Sequence, residues 1–126
     1  MERLEEKIDR DLLNALIPSW VEEKKRPMEA TLYVEEVEGN YWRDAGLKGY
    51  EKVFSYEVKS NKPFNGSGNL LRSGCVVFGD GGVRRVHYEN GHGRDGIKFL
   101  EGSDEWERDL FSKIGSLLEG KYCSRV

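Results

Sequence analysis

Cysteine is scarce in this chain: Cys75 and Cys123 are the only two, they lie far apart, and neither belongs to a C-x-x-C pair. That spacing excludes a zinc ribbon or a dithiol redox motif and points to a reduced, intracellular protein. Long hydrophobic runs are missing too, and the opening Met1-Glu2-Arg3-Leu4-Glu5-Glu6-Lys7 is too acidic and interrupted for a signal peptide. The expected location is therefore the cytoplasm, with no membrane partner. Glutamine is absent and threonine occurs once, at Thr31. With many Glu and Lys that bias loosely suits a hot-environment proteome, an inference that six asparagines weaken. No charge of one sign dominates: 20 basic and 23 acidic side chains leave a net charge of −3. Such a balance offers no global attraction to phosphate backbones or anionic lipid, so nucleic-acid binding would need a local patch and is not favoured. A nucleophile elbow, a paired-carboxylate motif and a dinucleotide fingerprint are all lacking, and no cofactor is implied.

What is present describes a small α+β domain. At 126 residues the chain has the size of one domain, here 1–126, and aromatics at 11% argue against disorder. Leu4, Ile8, Leu12, Leu13, Leu16 and Ile17 recur at helical spacing, which predicts a first helix that Pro18 breaks. Ser19 with Glu22 resembles a capping box and predicts a second short helix before Pro27, with Trp20 tucking this helical segment (1–26) onto the core. From Ala30 the period becomes two. Ala30, Leu32 and Val34 share one strand face, as do Tyr50, Phe54, Tyr56 and Val58 on the next, and both strands read as solvated on one side. Cys75-Val76-Val77-Phe78 is apolar on both faces and reads as part of a central strand over 70–78. Gly79-Asp80-Gly81-Gly82 predicts a tight hairpin into a strand over 83–88, and Ile97 to Leu100 adds a short last strand. After Ser103, Asp104 and Glu105, the stripe Trp106, Leu110, Phe111, Ile114, Leu117 and Leu118 predicts a terminal helix over 103–119 closed by Gly120. The expected architecture is an antiparallel sheet of four to five strands within 29–100, flanked by the N-terminal helical segment and the C-terminal amphipathic helix packed on one face.

Site chemistry concentrates in His87-Tyr88-Glu89-Asn90-Gly91-His92-Gly93-Arg94-Asp95-Gly96, which holds both histidines. If the loop folds back, His87 and His92 could exchange a proton while Arg94 stabilises a charged transition state, as metal-independent phosphodiester cleavage requires. The same two imidazoles with Glu89 or Asp95 would also make a first shell for zinc or iron. The plainer interpretation is a turn-rich connection after a strand whose histidine faces solvent. Phe64-Asn65-Gly66-Ser67-Gly68-Asn69 is glycine-rich but leads into a strand, not a helix, and so reads as an interstrand connection and not a phosphate cradle. A second candidate is the loop Gly39-Asn40-Tyr41-Trp42-Arg43-Asp44-Ala45-Gly46, whose Tyr41, Trp42 and Arg43 are residue types that anchor interfaces. Arg84 and Arg85 point to opposite faces of their strand and cannot form one patch.

Two functions of different class follow. The favoured one is a non-enzymatic binding or regulatory domain, compatible with a homodimer, that recognises a protein partner or small ligand through its sheet and loops, with Tyr41, Trp42, Arg43, Glu89 and Asp95 as contacts. The alternative is a small metal-independent ribonuclease or phosphodiesterase using His87, His92 and Arg94 as catalytic groups.

Overall fold

The computed structural model describes residues 3–37, 47, 51–64, 68–88 and 97–123. Six strands, β1 (Leu4–Lys7), β2 (Ala30–Glu36), β3 (Lys52–Ser60), β4 (Leu70–Gly79), β5 (Gly82–Tyr88) and β6 (Ile97–Leu100), form one sheet in sequence order. Every neighbouring pair is antiparallel. Helix α1 (Arg10–Leu16) joins β1 towards β2, and α2 (Glu105–Leu118) follows β6. The fold is thus α+β with a C-terminal helix, but among the described residues the sheet has six strands rather than four or five and the chain enters it as a strand.

That entry is the main correction to the sequence reading. Leu4 pairs opposite Val34 and Lys7 opposite Thr31, so the first apolar position belongs to an edge strand and not to a helix. The spacing of Leu4, Ile8 and Leu12 fits both periods, and capping decides between them. The Asp9 backbone is extended and its carboxylate accepts the Leu12 N–H at 2.8 Å, which starts α1 at Arg10. Helix α1 ends, as expected, where Ile17 must take an extended conformation before Pro18. The second helix is only a 3₁₀ turn, Glu23–Lys25, without a side-chain cap, and Trp20 is 65% exposed. Val21, not Trp20, turns inward here, with Ile17 and Pro27 also buried in this connection.

Alternation along the strands then builds two layers. Leu32, Val34, Phe54, Tyr56, Val58, Val76 and Phe78 face the helices and join Leu12, Leu13 and Leu16 of α1 and Leu110, Phe111, Ile114 and Leu118 of α2 in one core. Burial of this set supplies the main driving force for folding. The opposite face is not uniformly solvated: Val53, Val77 and Val86 are buried there, with Val37, Leu47, Cys75 and Phe99 packed against them. β4 is therefore covered on both faces, as its apolar run implied, whereas β3 carries one more buried position than its alternation showed. The β4–β5 hairpin turns through Asp80 and Gly81 with Gly79 opposite Gly82, and Gly82 takes a φ of +81°, which favours glycine. Gly120 does not close the last helix; the chain continues in a π-helical turn, Glu119–Cys123.

Asp9 also binds the Lys113 ammonium at 2.9 Å and so ties α1 to α2. The Leu12 amide foremost, and then Lys113, hold its carboxyl below the usual carboxylate range. A depressed folded-state pKa contributes stability above the unfolded value, about 4, and that contribution disappears as pH falls through the folded value. Asp9→Asn keeps a competent cap but cannot titrate. The melting temperatures of the parent and Asp9→Asn should therefore differ slightly at neutral pH and converge in acid. A difference independent of pH in a thermal melt series would contradict this.

Candidate functional site

β5 carries the charged residues that organise both faces of the sheet. Arg84 stands opposite Val77 and Arg85 opposite Val76, so the two arginines do project to opposite faces. Arg84 pairs with the buried Glu51 carboxylate and lies over the Phe99 ring at 5.5 Å. On the helix side Arg85 donates to both oxygens of Glu107, at 3.2 and 3.3 Å. Glu107 is only 4% exposed and also accepts the Ser103 N–H at 2.9 Å, closing the first turn of α2. Sequence reasoning missed Glu107, which looks like one more polar position between apolar ones. Tyr56 packs edge-on to Phe111, and burial foremost, with the Glu107 charge next, pushes its phenol pKa up. Arg72 stacks on Trp106 at 5.1 Å.

His87 lies on β5 opposite Lys98, exposed and on the parity shared by Val83 and Arg85. Glu89, His92, Arg94, Asp95, Tyr41, Trp42 and Arg43 lie outside the described residues, so His87 is the only proposed catalytic group whose position is established. Among the described residues no three His, Cys, Asp or Glu side chains cluster as a metal site would require. Cys75 is a free, half-buried thiol in the second apolar cluster, and burial raises its pKa.

The concave feature of this region lies elsewhere. A groove of about 430 Å³ runs between the β4–β5 turn, the β6–α2 connection and the outer side of α2. Val83 and Phe111 supply apolar surface; Ser112, Ser116, Glu101, Glu119 and Arg108 supply the polar groups. Arg108, Phe111, Ser112, Gly115 and Ser116 recur at three- and four-residue steps, so one stripe of α2, continued by Glu119 of the π-helical turn, forms a whole wall. Small residues hold the groove open. A β-carbon on Gly102 would come within 3.1 Å of the Arg108 amide nitrogen, so a side chain there would push the connection a few tenths of an ångström away from the helix. A β-carbon on Gly115 would already touch Val83 at 3.5 Å, so a large side chain there would fill the gap between helix and hairpin. Arg108 is steadied by donation to the Ser103 carbonyl at 2.6 Å. The sequence signal for this wall was available as small residues at 112, 115 and 116 beside the apolar stripe, but which side of the helix they faced was not.

Comparison with family models, curated proteins and solved structures found no match for this chain.

Proposed function

We propose that this protein is a binding domain that takes a small ligand, part apolar and part polar, in the groove between α2 and the β4–β5 hairpin. The observation that carries this is the groove itself: its volume falls within the range of small-molecule sites, and its lining divides between apolar surface from Val83 and Phe111 and polar groups from Glu101, Arg108, Ser112, Ser116 and Glu119. Its walls rest on rigid elements, since Phe111 is anchored in the core and Val83 belongs to a paired strand. The two serine hydroxyls both donate and accept, the two carboxylates accept and the guanidinium donates, so an oriented polar ligand can be matched on several sides. The ribonuclease alternative rests, among described residues, on His87 alone, and no observed geometry brings a second catalytic group to it.

Ser112 is exposed on the groove wall, so Ser112→Trp fills the groove without disturbing the core. In a fragment screen read by thermal shift, compounds that stabilise the parent should leave Ser112→Trp unaffected, while the unliganded melting temperature stays within about 2 °C of the parent, as for an exposed substitution. Hits that stabilise both proteins equally would refute the assignment.

A further inference from the structure

The end of the molecule away from that groove carries a second, differently built surface. Trp20 is 65%, Met28 56% and Leu70 45% exposed. Trp20 and Met28 lie together on the helix side where β2 begins and β3 ends: Met28 precedes Ala30, which pairs with Ser60, and Trp20 meets the buried Phe64 ring at 6.4 Å, whereas Leu70, opposite Lys59, belongs to the other face of the sheet. Large apolar side chains held in water at one place mark a contact surface. Trp20 is moreover supported from beneath by a buried aromatic, which is how interface anchors are presented.

The charge of this end differs from that of the whole chain. Segments 17–29 and 59–70 carry five cations, Lys24, Lys25, Arg26, Lys59 and Lys62, against three carboxylates, in a protein of net charge −3. Beside Met28 a cleft of about 160 Å³ is floored by Leu13 and Pro27 and flanked by Arg10, Arg26, Asn14 and one carboxylate, Glu23, so that its two guanidinium groups outnumber its single acid. Neither guanidinium forms an ion pair among the described residues, unlike Arg84 and Arg85. A guanidinium on a cleft wall matches a carboxylate through two parallel hydrogen bonds. A broad anionic membrane would meet the repulsion of the net negative protein, whereas a short acidic segment meets only this end, where cations outnumber carboxylates. The concave cleft likewise suits a side chain on a polypeptide better than a fluid surface.

We propose that this end docks an acidic segment of a partner protein, with an aromatic or aliphatic side chain of that segment on Trp20 and Phe64 and a carboxylate between Arg10 and Arg26. The site is independent of the groove: the two lie at opposite ends of the ten-residue strand β4, about 30 Å apart.

A phage-displayed library of random dodecapeptides, panned on the full chain and on Trp20→Ala, tests it. Enriched peptides should be rich in Asp and Glu around an aromatic or aliphatic residue. As synthetic peptides they should bind at least about tenfold more weakly to Trp20→Ala and to Arg10→Glu/Arg26→Glu, and unchanged to Ser112→Trp. Because Trp20 and Arg10 are exposed, the variants should keep the parent far-UV circular dichroism. No enrichment, enrichment of basic or neutral peptides, or equal affinity for the variants would overturn the proposal. So would tight binding to phosphatidylglycerol vesicles with a blue shift of Trp20 fluorescence in a chain whose other tryptophans are replaced by phenylalanine.

Discussion

Phe111→Ala is expected to destabilise the fold by about 4 kcal/mol, the largest single effect anticipated for this chain. Phe111 is 4% exposed, sits at the joint between α2 and the sheet, and meets Tyr56 edge-on with ring centroids 6.4 Å apart. Truncation removes the buried area, leaves a cavity that rigid β-strands cannot close, and deletes the aromatic pair. For a domain of this size the melting temperature should fall by roughly 15 °C. Phe111 also lines the groove, so ligand binding should be lost even where the variant is still folded. Phe111→Leu, which keeps most of the volume, should recover most of the stability and only part of the binding. Urea unfolding of the three proteins decides this, and a loss below about 1 kcal/mol for Phe111→Ala would show that α2 is not seated as described.

Arg85→Ala should be next in size, at about 2–3 kcal/mol. Removing one partner of a fully buried pair strands the other charge and costs about 3–5 kcal/mol. Here Glu107 is 5% exposed at its side chain but Arg85 is 34% exposed, so water recovers part of the loss. Glu107 would keep only the Ser103 amide. The double variant Arg85→Met/Glu107→Leu should be less destabilised than Arg85→Ala, because no buried charge remains unpaired. A double-mutant cycle by urea unfolding measures the coupling. Additive single losses would mean that the pair does not hold α2 to β5.

The parts of the fold that were legible in the sequence are those where one physical pattern had no competitor. Ala30, Leu32 and Val34 admit only a period of two, Cys75 to Phe78 is apolar on both faces, and Asp80-Gly81 between Gly79 and Gly82 admits little but a tight turn. The edge strand β1 was missed because Leu4 and Ile8 are four apart, a spacing both periods allow, and the Asp9 cap that separates them is a single side-chain hydrogen bond. Trp20 misled because bulk and hydrophobicity argue for burial, while position in the connection leaves it supported on one side only. The groove could not be read at all: it exists only where the β6–α2 connection, the hairpin and the helix meet, and residues such as Gly102 and Ser116 carry no signal until those elements are placed together. His87 shows the converse, since a chemically distinctive side chain was visible at once but its neighbours in space were not.

The most direct test of the groove assignment is an amide NMR titration of the full chain with the best compound from the fragment screen. The resonances of Gly81, Gly82, Gly102 and Gly115, which line the groove from three separate segments, should move together and saturate with one dissociation constant, leaving those of Trp20 and Met28 in place. Shifts confined to other residues, or groove glycines that stay fixed while the compound binds, would contradict the account.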